Sequence, residues 1–167
     1  MNSLAWSGQP GPAAHHPAGP VLMVSTQGGH LAHLLALRSW WEKHGRVWVC
    51  PRTPDVEDRL RGERVEWSHS PTTRNVPNLL RNAALAVRLL CHERPSLVVS
   101  AGAGVAVPFF AAAWSLGIPT VFIEVYDRVD TPTMTGRLCA PFTTRRIVQW
   151  PSQLTFYPDA RLVGPLL

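Results

Sequence analysis

Three observations predict an α/β fold with a mainly parallel sheet. Short apolar, β-branched runs alternate with amphipathic stretches along the whole chain after Pro20. Several of these runs, such as VLMV and LVV, are apolar at every position, as strands buried on both faces of a parallel sheet are. Glycine-rich turns follow the first and fourth runs, where a strand passes into a helix. The expectation is one Rossmann-like domain over residues 21–167, with helices on both faces of its sheet.

The elements follow in order. Residues 21–26 (VLMVST) form the first strand, and Gln27, Gly28 and Gly29 a turn. A helix is expected over 30–44, with Leu31, Leu34, Leu35 and Trp41 near one face and Gly45 as its stop. Residues 46–50 are a second strand, 55–62 a short polar helix or loop, 63–67 a third strand and 68–76 a polar loop. Pro77 suits a first helical turn and opens the clearest helix. There Leu79, Leu80, Ala83, Ala84, Val87, Leu90 and Cys91 recur at helical spacing, Leu85 and Leu89 widen the apolar face, and Pro95 ends it. A strand over 97–100, a loop over 101–104, an apolar helix to about residue 116 and a strand over 120–125 come next. A helix near 135–142, a strand over 146–150 and a short strand over 161–163 complete the chain.

The chain has 167 residues, of which 46% are hydrophobic and only 16% charged, with a formal net charge of +5. A basic, charge-poor protein points to an anionic partner. Nucleic acid is the weaker candidate, because the basic residues form no run and no nucleic-acid motif is present. Cys50, Cys91 and Cys139 are odd in number, far apart and in no CxxC pair, which indicates neither a zinc site nor a disulfide framework. Residues 1–20 are rich in Pro, Gly and Ala, with no basic start and no apolar core, so they read as a disordered leader rather than a signal peptide. His15 and His16 belong to that solvated leader. No charge occurs between Arg94 and Glu124, a length that could span a bilayer. Pro95, Gly102, Gly104, Pro108, Gly117 and Pro119 interrupt it where a strand–helix–strand unit would turn, so a buried β-α-β unit is expected.

Ligands of such sheets sit outside the carboxyl ends of the strands, and three features lie there. Gly28 and Gly29 would let a backbone approach a ligand closely, and the helix that begins beside His30 would favour a phosphate; the turn could equally need glycine for sterics alone. Gly102 and Gly104, after the fourth strand, could hold a second part of an anionic or sugar ligand, or serve helix–sheet packing. Glu124 ends an apolar strand, so it is either a candidate base or sugar-hydroxyl acceptor or a structural acid paired with Arg128 or Arg137. Trp40, Trp41, Trp48 and Trp114 are expected in the core. His33, His44, His69 and His92 are expected at the surface, and Arg59, Arg61 and Arg64 on a solvated face that could meet lipid headgroups.

Three segments together, VSTQGGHLAHLLAL (24–37), SAGAGVAVPFF (100–110) and FIEVYDRVDTPTMTGRL (122–138), resemble Alg14-like and PssD-like oligosaccharide biosynthesis subunits. The run IVQWPSQLTFYPDARLVGPL (147–166) continues the resemblance, while 52–78 match loosely. The resemblance implies the acceptor-binding, N-terminal half of a GT-B glycosyltransferase of the MurG type. It implies that Gly28, Gly29, His30, Gly102 and Gly104 lie near an acceptor diphosphate. It also places Glu124, Pro132, Thr135 and Arg137 on the family's strand-five Glu and the Pro…Thr/Ser…Arg pattern that follows. The implied reaction transfers a sugar, N-acetylglucosamine first among the choices, from a UDP-sugar to a lipid-diphosphate-linked acceptor. His30 or Glu124 would be the base, and no metal or other cofactor is implied. A separate subunit resembling a GT-B C-terminal half would hold the UDP-sugar. Many members begin with a hydrophobic anchor; with only the Pro/Gly-rich leader here, a peripheral place on the cytoplasmic face of the plasma membrane is expected. A non-catalytic scaffold that docks a partner enzyme on the membrane is the alternative. A nucleotide-dependent reductase is disfavoured by the missing dinucleotide fingerprint.

Overall fold

A computed structural model describes residues 19–72 and 74–167. Of the leader expected over 1–20, only Gly19 and Pro20 fall among the described residues, and His15 and His16 lie outside them. Seven parallel strands form one sheet: β1 (Val21–Val24), β2 (Arg46–Pro51), β3 (Val65–Ser68), β4 (Leu97–Ser100), β5 (Thr120–Ile123), β6 (Arg145–Val148) and β7 (Arg161–Leu162). Their order is β3-β2-β1-β4-β5-β6-β7. The sheet grows outward from β1 in one direction, then from β4 in the other, so the switch point of this doubly wound sheet lies between β1 and β4.

Right-handed crossovers in opposite directions put the connecting helices on opposite faces. Helices α1 (Gly29–Leu35), α2 (Arg38–Trp41) and α3 (Pro54–Arg59) serve the first direction. Helices α4 (Val76–Glu93), α5 (Ala106–Ser115) and α6 (Met134–Cys139) serve the second. The core divides accordingly. Val21, Met23, Trp48, Cys50 and Ile123 pack with Leu31, Leu34, Trp41 and Val56 on one side. Leu22, Val24, Val47, Val49 and Phe122 pack with Leu85, Leu89, Phe109, Phe110 and Cys139 on the other. Successive strand residues face opposite sides, so one apolar run furnishes both cores.

Three expectations are corrected. The single helix over 30–44 is two short helices. The Trp41 indole donates to the Leu34 carbonyl at 2.9 Å, and the Leu37 amide turns to the same carbonyl at 3.1 Å, which closes α1 early. The payload of that break is a buried Trp41, edge-on to Trp48 and covered by the Arg46 guanidinium at 4.3 Å. The apolar face of α4 is rotated: Leu85, Ala86, Leu89 and Leu90 are buried, while Leu79, Leu80, Val87 and Cys91 are exposed. Asn78 and Asn82 fill the buried face beside them, donating to the carbonyls of Pro71 and His69 and so docking the preceding loop. Trp114, expected in the core, is 63% exposed. The uncharged stretch is β4, α5 and β5, and no helix of the described residues is long and apolar enough to cross a membrane.

Candidate functional site at the switch point

The loops after β1, β4 and β5 surround a cleft of about 1220 Å3. Its floor is the switch point. Gly28 has φ 75°, a left-handed conformation that glycine adopts without strain. The amides of Gly29, His30 and Leu31 precede the first bond of α1, from the Ala32 amide to the Gly28 carbonyl at 3.0 Å, so that helix leaves them unused. Because α1 has only seven residues, these loop amides rather than a long macrodipole are what the turn offers an anion.

His30 spans the switch point. Its Nδ1 lies 2.9 Å from the Ala101 carbonyl at the end of β4. A carbonyl only accepts, so Nδ1 carries the proton and Nε2 is left as an acceptor on a half-buried ring that lines the cleft. Gly102 makes room for this ring. A Cβ there would meet His30 Cε1 at 3.3 Å, and its φ of 109° also favours glycine. At Gly104 a Cβ would lie 2.8 Å from the Thr72 carbonyl, so the second glycine loop admits the chain ahead of α4. Both glycine loops expected from the sequence therefore meet here, with His30 between them.

The opposite wall runs from Val125 to Leu138. Tyr126, Asp127, Arg128, Thr133, Met134 and Thr135 line the cleft, with Arg74 entering from the loop before α4. Thr135 is one of these lining residues. Arg137 is exposed on α6 and is not among the cleft-lining residues. Glu124 is also outside the lining: its side chain is fully buried beneath α6. Neither Arg128 nor Arg137 is its partner. The Tyr157 hydroxyl donates to Glu124 Oε2 at 2.8 Å, and the Arg146 guanidinium lies 3.9 Å above the Tyr157 ring. Burial first, and the Glu124 bond second, hold the Tyr157 hydroxyl well above its ordinary value. Burial likewise pushes the Cys139 thiol up to about 12 and lowers the Arg146 guanidinium.

Sequence reasoning missed several residues here. His33 is buried, not at the surface. Its Nδ1 donates to the Gly29 carbonyl at 2.7 Å, and its Nε2 accepts from the Tyr126 amide at 3.1 Å, tying the two cleft walls together. Gln153 accepts the amides of Gln149 and Trp150 and donates to the carbonyls of Val125 and Arg128. The signal was present in the glutamine at the end of RIVQW, a polar residue on an apolar strand, with Gln153 four positions later.

The family model for oligosaccharide biosynthesis protein Alg14 like matches residues 60–166. The chain belongs to the Alg14-like family. The human UDP-N-acetylglucosamine transferase subunit ALG14 is 31% identical over 94 residues, covering 53% of this chain and 44% of the human protein. A UDP-N-acetylglucosamine–N-acetylmuramyl-(pentapeptide) pyrophosphoryl-undecaprenol N-acetylglucosamine transferase of Oceanobacillus iheyensis is 31% identical over 91 residues, 53% of this chain and 25% of that enzyme. The Alg14-like chain therefore spans less than half the length of these curated relatives. Its fold is that of MurG: the Acinetobacter baumannii crystal structure superposes with a TM-score of 0.68 at 20% identity, covering 87% of this chain and 45% of the other. The sheet and its flanking helices are thus the Rossmann-like half of a GT-B architecture, as the sequence predicts.

Proposed function

We propose that this chain binds the acceptor of a two-subunit glycosyltransferase. It presents a lipid-diphosphate-linked sugar to a partner subunit that resembles a GT-B C-terminal half and carries UDP-N-acetylglucosamine. The observation that supports this best is His30. Its ring is oriented by the Ala101 carbonyl, its Nε2 is the acceptor left over, and it sits beside the open amides of the Gly-Gly turn. In-line transfer needs a base at the acceptor hydroxyl, and an imidazole held in one tautomer suits it. The Gly28–Gly29 turn, with Gly104 and Arg74 across the cleft, would take the diphosphate. Val107, Met134 and Leu138 form an apolar lip past which the lipid would leave. The names of the relatives carry the same chemistry, a UDP-N-acetylglucosamine donor and, in the bacterial enzyme, a pyrophosphoryl-undecaprenol acceptor.

The membrane contact fits the side of the sheet that carries α4 to α6. Val76, Leu80 and Val87 on α4, Trp114 on α5 and Met134 and Leu138 on α6 are all exposed. Arg81, Arg94 and Arg137 stand among them, and no carboxylate of the described residues forms a salt bridge with these three. Apolar side chains interleaved with arginine match an anionic lipid surface. The peripheral membrane site proposed is this one, on the cytoplasmic face.

The test is transfer of N-acetylglucosamine from UDP-N-acetylglucosamine to a polyprenyl-diphosphate-linked sugar, with and without the partner subunit. Activity is expected only with both subunits present. In the complex, His30→Ala is expected to lower kcat by about 10²–10⁴-fold while the chain stays folded. An unchanged rate from folded His30→Ala complex would leave the chain a scaffold for its partner.

A further inference from the structure

A buried polar cluster lies beneath α6, behind the residues that line the cleft. Glu124, directly after β5, is the one fully buried carboxylate among the described residues, and its environment is closed on every side. Oε2 accepts the Tyr157 hydroxyl at 2.8 Å, and Oε1 is 3.4 Å from the Val125 amide. A Cβ at Gly136 would lie 2.6 Å from Glu124 Oε2, 2.7 Å from the Tyr157 hydroxyl and 2.9 Å from Thr133 Oγ1. The first turn of α6 therefore sits directly on the carboxylate. Thr133 Oγ1 caps that turn by accepting the Gly136 amide at 2.9 Å. Arg146 donates to the Gly136 carbonyl at 3.1 Å while its guanidinium covers the Tyr157 ring. The Glu124 carbonyl is held too, by Gln149 Nε2 at 2.9 Å.

Residues on both sides of this cluster form the cleft wall: Val125 and Tyr126 follow Glu124, and Thr133, Met134 and Thr135 begin α6. A carboxylate beneath that wall has no path to an acceptor hydroxyl without displacing Gly136. It has a firm path to the wall's position, through Tyr157, Gly136 and the Thr133 cap.

We infer that Glu124 is a positioning residue: with Tyr157 it clamps the start of α6, and so fixes the wall against which the acceptor binds. Proton transfer falls to His30. This rests on the acceptor-binding reading above, and it separates two roles that the sequence leaves open. A base must ionise and exchange a proton, whereas a clamp needs only an acceptor for the Tyr157 hydroxyl, which an amide oxygen supplies equally well. Removing the hydroxyl instead leaves a buried carboxylate oxygen without its partner, and the wall loosens.

Two isosteric variants test this in the assembled complex, with UDP-N-acetylglucosamine and a polyprenyl-diphosphate-linked sugar as substrates. Glu124→Gln is expected to stay within about tenfold of the wild-type kcat, against the ~10²–10⁴-fold loss typical of a missing acid–base group. Tyr157→Phe is expected to raise the acceptor KM several-fold with kcat nearly unchanged. A loss of tenfold or more in kcat for Glu124→Gln at unchanged acceptor KM would make Glu124 the base and overturn the inference. Hydrogen exchange on the chain alone reads the clamp without any activity. Tyr157→Phe is expected to speed exchange of the amides over 125–138 about tenfold or more, with those of β1 and β2 unchanged and Glu124→Gln close to wild type. Wild-type exchange over 125–138 in Tyr157→Phe would equally overturn it. If the wild-type complex transfers no sugar, the acceptor-binding reading fails, and the exchange result still decides whether the clamp exists.

Discussion

The two sides of the sheet differ in how their helices meet solvent. On the α1–α3 side, charge is spent locally: Arg38 pairs with Glu42, Arg52 with Glu57, Arg59 with Asp55 and Arg61 with Asp58, each within five residues. None of the large hydrophobics exposed among the described residues belongs to those helices. On the α4–α6 side, every helix exposes large apolar side chains, and among the described residues no carboxylate forms a salt bridge with Arg81, Arg94 or Arg137. Beneath, the sides are alike, since the same strands feed two closed cores. One face pairs its charges locally, and the other leaves the apolar and arginine side chains on which the proposed membrane contact rests.

If the difference lies only on the outside, truncations of either core should cost alike. Phe110→Ala on the α4–α6 side and Trp48→Ala on the other, both fully buried, are each expected to lose about 3–5 kcal/mol in chemical denaturation. A much smaller loss at Phe110 would mean that its side is loosely packed as well as uncovered.

The next effect concerns lipid. Leu80→Asp with Val87→Asp should weaken sedimentation with anionic vesicles by tenfold or more, at about 2–3 kcal/mol lost per buried leucine or valine. Neutralising Arg81 should cost about 1 kcal/mol more and flatten the salt dependence. The control is Ala36→Asp, exposed at the end of α1, which should bind vesicles as wild type does. Equal losses from both sides would erase the distinction.

Within the α1–α3 side, one ion pair stands apart from the exposed ones. Arg46 donates to both oxygens of Glu63, at 2.7 and 2.5 Å, and Trp48 Nε1 adds a bond at 3.1 Å. These hold the Glu63 carboxyl below its ordinary value, the Arg46 hydrogen bond first. A carboxyl with a depressed folded value contributes stability above its unfolded value and loses it as the pH falls through the folded one. Glu63→Gln should therefore cost about 1–3 kcal/mol at neutral pH. The gap from wild type should close as the pH drops below the usual glutamate range. Last and smallest, Arg38→Ala breaks an exposed, solvent-screened pair and should leave the denaturation midpoint close to that of the wild type.

Much of this was legible in the residues. The parallel α/β class, the position of each strand to within a few residues and the glycine loops after β1 and β4 follow from local runs, and the family from the resemblance of whole segments. The reason is physical: a buried parallel strand must be apolar at every position, and a chain turning at positive φ needs glycine, so both leave marks on consecutive residues. Which of several apolar flanks of a helix turns inward leaves a weaker mark. Periodicity in α4 accommodates a face through Leu80 and Val87 as readily as one through Leu85 and Leu89, and only the sheet and α5 choose the second. The same holds for single residues with one chemical type and two environments. His30 and His33 lie three positions apart and both reach the cleft, but His30 is half-buried there and bonds to Ala101 after β4, while His33 is buried between the walls and bonds to Tyr126 after β5. Glu124 is an acid at a strand end in either reading. That it lies under Gly136 and against Tyr157 is decided 33 residues away along the chain, by tertiary packing alone.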